Sequence, residues 1–343
     1  MIAEILSRIQ SGQKLSEDDM TLCMSGMMEG TWSDEQIAAF LTGISARGET
    51  VDEIVGAAKV MRAKALPINA PDHAVDCCGT GGDQSGTYNI STAVAIVAAA
   101  CGVCVAKHGN RSASSKSGAA DVLEALGVDL DVSQGHLEDA LTQFNFAFLM
   151  APRHHQAMKH VMPVRKALGV RTIFNILGPL ANPAKTKFQL IGVYDRALVL
   201  PMAQALQRLG TQSAWVVHGA DGLDEITTTA ETYVAQLIDG HITEAILTPE
   251  DFGLPRSNPD DLKGGAPQVN AKALQDILDG EKNAYRDIVI ANAAAVLMIA
   301  EKAHTLESAV NMASAVLDNG QARALLQDYA AFTQAHSGKN DNG

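Results

Sequence analysis

The sequence predicts an α/β protein: a small all-helical N-terminal domain, then a larger α/β domain whose mostly parallel, mixed sheet is flanked by helices. Three observations predict it. The first 66 residues read as short amphipathic helices joined by turns. From about residue 74, short apolar runs ("AVDCC", "VCVAK", "FAFLM", "FQLIGV", "SAWVVHG") alternate with helical stretches, the pattern of a parallel sheet covered by helices. Near the end, "YVAQLIDGHITEAIL" sets Asp-Gly between two runs, a hairpin that makes the sheet mixed.

In the helical part, Ser33 with Gln36 and Thr50 with Glu53 have the capping-box spacing, in which each side chain satisfies a free backbone N–H. Behind the first box, Ile37, Phe40, Leu41 and Ile44 fall on one helix face, and Gly48 stops the helix. The expected boundaries are a helical domain over 1–73, an α/β domain over 74–152 and 188–335, and a disordered tail over 336–343. The stretch 153–187, rich in helix formers but interrupted by Pro163, Pro179 and Pro183, is expected to pack back onto the helical domain. Hinges near 67–74, 152 and 188 would then frame a cleft between two lobes, the usual place for a small ligand.

Composition narrows the function. The N-terminus mixes charges with apolar residues and lacks a signal-peptide pattern, and the apolar run Ile288 to Ala300 falls short of the roughly 20 residues a bilayer requires. Five cysteines in 343 residues make no disulfide framework, so reduced thiols and a cytoplasmic location are expected. Cys101 and Cys104 form one C-x-x-C inside an apolar run, half a zinc site at most, and read as core packing. A net charge of −13 argues against a nucleic-acid binder. Yet from Ala140 to Tyr194 there is no Asp or Glu, while Arg153, Lys159, Arg165, Lys166, Arg171, Lys185 and Lys187 all lie there. That is either a solvated basic face or one that draws an anionic small molecule.

The chemistry concentrates in three stretches. In "VDCCGTGGDQSGTYNIST" Gly79, Gly81 and Gly82 make a strand-to-helix turn, and Asn89, Ser91 and Thr92 open the following helix. At the carboxyl end of a strand this is a place for phosphate, although a bare tight turn shows the same glycines. It is neither a Walker loop nor a Rossmann fingerprint, since Gln84 stands at the last glycine. In "AKHGNRSASSKSGAADVLEALG" Lys107, Arg111 and Lys116 stand among serines and glycines, offering point charges, hydroxyls and backbone amides as a pyrophosphate requires. In "HGADGLDEI" the adjacent Asp224 and Glu225 suit Mg²⁺, which bridges a few carboxylates to phosphates, though an acid pair on a loop is commonly just solvated. His154, His155 and His160 have no cysteine or carboxylate beside them and read as surface or cleft histidines.

Together with "MKHVMPVRKALGVRTIFNILGPLANP" and the helical start "SDEQIAAFLTGISARGETVDEI", these stretches resemble the anthranilate phosphoribosyltransferases over nearly the whole chain. Gln156 departs from the family, which has a proline there. The resemblance implies a fold like that of the pyrimidine nucleoside phosphorylases, a homodimer joined through the helical domain, and an Mg²⁺-dependent step of tryptophan biosynthesis. That step moves the phosphoribosyl group of phosphoribosyl pyrophosphate (PRPP) to the amine of anthranilate. It implies PRPP contacts from Gly79, Gly82, Asp83, Thr87, Asn89, Ile90, Ser91, Thr92 and the loop Lys107, His108, Gly109, Asn110, Arg111, Ser112, Ala113, Ser114, Ser115. It further implies Mg²⁺ at Ser91, Asp224 and Glu225, anthranilate at Gly79, Asn110 and Arg165, and catalytic parts for Lys107, Asn110 and Arg165. No acid–base dyad stands out, which suits a neutral aromatic amine attacking as pyrophosphate leaves, a reaction that rests on positioning and charge stabilisation. The alternatives are a pyrimidine nucleoside phosphorylase-like enzyme, which shares "KHGN" but is longer, and a non-catalytic relative that binds nucleic acid.

Overall fold

Four helices begin the chain in the computed structural model, which describes residues 2–112 and 116–338. They are α1 (Ile2–Gln10), α2 (Glu17–Met28), α3 (Asp34–Arg47) and α4 (Val51–Lys64). Capping boxes open α3 at Ser33 and α4 at Thr50. A third, Ser16 with Asp19, opens α2; the Glu/Gln rule misses it because Asp is the shorter acid. Ile37, Phe40, Leu41 and Ile44 line the buried face of α3, which ends at Gly48 with φ 80°. Glu53 is fully buried and does three jobs: it completes the α4 box through Thr50 N–H, accepts from Leu15 N at 2.8 Å, and pairs with Arg47.

The rest of the chain follows the expected alternation: β1 (Val75–Gly79), α5 (Ile90–Ala100), β2 (Val105–Gly109), α6 (Ala119–Ala125), α7 (Gln134–Phe144) and β3 (Phe146–Met150). Three short helices come next, α8 (Ala151–His154), α9 (Met162–Leu168) and α10 (Phe174–Leu177), and then β4 (Phe188–Gly192), α11 (Val199–Arg208) and β5 (Ser213–Gly219). The hairpin β6 (Thr232–Ile238) and β7 (His241–Leu247) leads to α12 (Pro267–Leu278), α13 (Ala284–Ile299), α14 (Leu306–Asp318) and α15 (Gln321–Ala335). The sheet order is β3-β2-β1-β4-β5-β6-β7, parallel through β5 and antiparallel at β6 and β7. Asp239 and Gly240 both take positive φ, 48° and 79°, as a two-residue hairpin turn requires.

The strand order reverses between β1 and β4, because β2 and β3 build outward on one side of β1 and β4 starts the other. Ligands of open α/β sheets bind in the crevice above such a reversal. Both faces of the sheet are covered. Leu190, Trp215 and Val217 pack with α5 and α12–α15, whereas their neighbours Ile191, Ala214 and Val216 share a core with α1–α4, α9, α10 and α11. Val161, Val164, Phe174, Leu177 and Leu180, from the acid-free stretch, belong to that second core.

Two expectations need correction. His154 and His155 are not surface or cleft groups but are each 5% exposed, with His154 Nδ1 against Leu66 O at 3.0 Å and His155 in edge contact with His108. The tail is ordered at its start: Ser337 bridges Val132, and Gly338 N donates to Asp131 O at 2.7 Å, so backbone pairing holds what composition reads as loose. Residues 339–343 of that tail lie outside the described residues. Cys101 and Cys104 turn to different carbonyls, Met312 O and Leu141 O, and burial pushes each thiol up to about 11. Among the described residues no helix is long and apolar enough to cross a membrane.

Candidate active site

At the reversal, Gly79 ends β1 and lies beside Gly192, the end of β4. The loop after β5 lays Asp224 across both. A Cβ on Gly192 would fall on the Asp224 backbone carbonyl, and one on Gly79 on its carboxylate. Gly79 therefore serves first to let an acidic loop sink into the crevice. Asp224 Oδ2 then accepts from Gly81 N at 2.7 Å, which ties that loop to the glycine turn. Thr80 clamps the turn from the other side: its N–H donates to Gly192 O at 2.9 Å and its Oγ1 accepts from Tyr194 N at 3.1 Å. Gly81, Gly82, Gln84 and Gly86 all have φ between 60° and 75°, so Gln84 adopts the left-handed backbone where a fingerprint glycine would stand.

Carboxylates crowd this corner. Burial and the neighbouring Asp83 charge raise the Asp224 pKa, and burial followed by Asp224 raises that of Glu225, against the pull of Lys107. Both acids remain partly exposed to the crevice. The Lys107 ammonium lies underneath, 1% exposed, donating to Cys77 O at 2.6 Å and Ser91 Oγ at 3.2 Å. Lys107, counted above as the start of the second loop, is instead the third residue of β2, a floor cation that orients Ser91 and faces the acids from below. Among the described residues no three His, Cys, Asp or Glu side chains form a ready-made metal cage. Two adjacent acids, a hydroxyl and a third acid at hydrogen-bonding distance nevertheless fit Mg²⁺, which keeps water and phosphate oxygens in its shell.

The anion cradle is built on α5. Asn89 makes no side-chain cap, and in the first turn of α5 Ile90 N–H donates to Tyr88 O and Ser91 N–H to the Glu225 carboxylate. Thr92 is 1% exposed, and its Oγ1 has no partner among the described residues. Thr87 forms a backbone bridge with Lys263. Ile90 corrects the predicted ligand set: at 2% exposure its side chain is core, leaving only backbone to offer. The second loop folds back on α6, whose Asp121 accepts from Ser112 N at 3.2 Å and Gly118 N at 2.9 Å. Gly109 packs on Phe148, and Asn110 Oδ1 accepts from Arg111 N at 2.8 Å. Arg111 is held by Asp121 and Glu124 rather than standing free. Ala113, Ser114 and Ser115 lie outside the described residues.

One side chain departs further. His108 turns away from the cradle, 5% exposed with Nδ1 on Gly178 O at 3.1 Å, and burial followed by His155 lowers its pKa to about 3. Arg165 is the fourth residue of the seven-residue α9, two residues behind Pro163 in its first turn, with its own N–H spent on Val161 O. Its guanidinium lies 5.3 Å from the Phe174 ring centre with no acidic partner among the described residues, and burial lowers its pKa. The cation that does touch the glycine turn is Arg171, which donates to Gly82 O, stacks on Tyr194 at 4.1 Å and accepts Ser45 Oγ–H on its own carbonyl. Sequence reading counted Arg171 only among the basic residues.

Sheet, crevice and helical lobe define a two-part glycosyl transferase: residues 3–65 match the glycosyl transferase family helical bundle domain, and residues 71–323 match its a/b domain. The chain is 55% identical to an anthranilate phosphoribosyltransferase of Azospirillum brasilense, over 96% of this chain and 93% of that one. A crystal structure of the Thermus thermophilus anthranilate phosphoribosyltransferase superposes with a TM-score of 0.91 at 42% identity, covering 96% of this chain and 99% of the other. The Saccharomyces cerevisiae enzyme in complex with PRPP and Mg gives 0.89 at 26% identity, covering 97% and 98%. The chain belongs to the anthranilate phosphoribosyltransferase family.

Proposed function

We propose that the crevice between β1 and β4 transfers the phosphoribosyl group of PRPP to the amine of anthranilate, giving N-(5-phosphoribosyl)anthranilate and pyrophosphate for tryptophan biosynthesis. One observation carries the reading: Asp83, Asp224 and Glu225 crowd together at the strand-order reversal, over Lys107 and beside the uncapped end of α5. Such a corner suits a polyanion bound together with a hard cation, and Mg²⁺ held by Asp224, Glu225 and Ser91 would supply charge neutralisation on the diphosphate.

The remaining work falls to the chain. The glycine turn and Thr92 at the start of α5 hold the diphosphate, while Lys107 keeps the Ser91 hydroxyl oriented. Arg165, unpaired by any acid among the described residues, binds the anthranilate carboxylate, with Gly79 and Asn110 beside the amine. Aromatic amines are neutral at pH 7 and keep their lone pair, so the residues hold amine and ribose C1 in line instead of moving a proton first. Positive charge that builds on the ribose meets the acidic corner. A homodimer through the helical lobe, a cytoplasmic location and no affinity for nucleic acid complete the proposal; the net charge of −13 supports the last.

Pure protein mixed with PRPP, Mg²⁺ and anthranilate is expected to deplete anthranilate fluorescence. No depletion under any condition, or cleavage of a pyrimidine nucleoside by inorganic phosphate instead, overturns the assignment.

A further inference from the structure

The segment after the hairpin grips the glycine turn from behind. Tyr88 N donates to Leu262 O at 3.0 Å, Gly264 N to Gly86 O at 2.9 Å, and Thr87 bridges Lys263. Gly264 must lack a side chain, since a Cβ there would press on Thr87 O and Asn270 Oδ1. Asn270, in the first turns of α12, is 2% exposed, and both ends of its amide are used. Its Oδ1 accepts from Gly265 N at 2.7 Å and its Nδ2 donates to Asn89 Oδ1 at 2.8 Å. Asn89 Nδ2 in turn donates to Ser117 O at 3.2 Å, and Asn89 O accepts from Tyr285 Oη at 3.1 Å. Both amide orientations are fixed by their backbone partners, because Gly265 N–H can only donate and Ser117 C=O can only accept.

Asn89 is thus a joint. It stands at the start of α5 and reaches the far end of the second loop, so its orientation sets the spacing between the two halves of the cradle. We infer that Asn270 is a positioning residue for PRPP: through Asn89 it locks the first turn of α5 and the Ser117 end of the second loop at the separation a diphosphate needs. The inference rests on the proposed activity and adds a residue that lies behind the cradle, outside the glycine, lysine and acidic motifs.

Steady-state kinetics with each substrate varied in turn test it on Asn270→Ala and on Asn270→Asp, which keeps the acceptor for Gly265 N–H but sets an acceptor against Asn89 Oδ1. Each is expected to raise the KM for PRPP about tenfold or more while that for anthranilate stays within about twofold. Added to Asn89→Ala, Asn270→Ala is expected to change the PRPP KM by less than about twofold, since the joint is already gone. A residue that merely supports the fold would lower the melting temperature and leave the two KM values in their original ratio; that result overturns the inference. A parallel rise in both constants overturns it as well, as does a full effect in the Asn89→Ala background, or loss of folded circular dichroism in both variants. Wild-type protein that consumes no anthranilate marks failure of the functional reading instead. Calorimetric titration of wild type and Asn270→Asp with PRPP and Mg²⁺ then decides the inference: about tenfold weaker binding in the variant upholds it, and equal binding overturns it.

Discussion

At the scale of single residues, Gly192 carries the acidic loop by what it lacks. Gly192→Ala drives a methyl group into the Asp224 carbonyl and must lift the loop that brings Asp224 and Glu225 to the crevice. A displacement of about 1 Å costs on the order of 10²-fold in kcat/KM; an unchanged rate with unchanged circular dichroism would show that the loop's depth is immaterial. Arg165→Ala is expected to raise the KM for anthranilate by an amount equivalent to about 1.5–3 kcal/mol, the scale of a lost charged hydrogen bond, with a much smaller change for PRPP. Equal losses would move Arg165 to the phosphates. Burial, followed by His154, lowers the His155 pKa to about 4. The unfolded chain takes up this proton as pH falls through about 6.5 while the fold refuses it, so stability is lost downward from there, by about 1.4 kcal/mol at one unit below. In urea titrations at pH 7 and 5.5, His155→Gln is expected to lose about 1 kcal/mol less than wild type over that interval, and identical losses would refute the assignment. The glycine turn and the acid pair were legible because residue type alone announces them. Gly192 was not, although β1, β2, β4 and β5 all end in glycine, a regularity visible once the strands are aligned. Arg171 was illegible because its partners, Gly82 and Tyr194, come from other segments.

At the scale of elements, the strands were legible throughout, since short apolar runs bounded by glycine and polar turns leave few other solutions. What sequence reading missed were contacts one element makes on behalf of another. Glu53 was legible as half of a capping box, yet it also holds the turn before α2, through Leu15 N, and the end of α3, through Arg47. Burial alone would push its pKa up, but the Arg47 guanidinium and the Leu15 and Thr50 N–H groups outweigh burial and hold it below the usual value. A lowered carboxyl pKa stabilises the fold at neutral pH and loses that share as acid protonates the group through its folded pKa. Glu53→Ala leaves Arg47 partly buried and unpaired, so a cost of roughly 3–5 kcal/mol is expected at pH 7 in denaturant titrations. A cost below about 1 kcal/mol would class the pair with ordinary surface ion pairs.

At the scale of the whole molecule, the helical lobe still shows apolar side chains to solvent, with Leu22 46% and Leu66 45% exposed. The homodimer proposed above predicts a light-scattering mass about twice the 36.1 kDa chain at micromolar concentration; a monomer would refute it. Helical bundle and sheet look in the sequence like separable lobes, and the hinges expected near 67–74, 152 and 188, drawn from the 153–187 stretch packing back onto the bundle, presume that they part. Their interior is common property instead: Phe40, Ile54 and Val55 from the bundle pack in one core with Val161, Leu177, Met202 and Val216. Inheritance and folding therefore cut this chain in different places. A bundle grafted from a distant relative onto this sheet would arrive with knobs shaped for another lock, and repair would have to reach α9–α11 and the inward residues of β4 and β5. Substitutions on the two sides of residue 70 should accordingly be tolerated in matched pairs more often than singly, as if the seam were one sentence written in two hands.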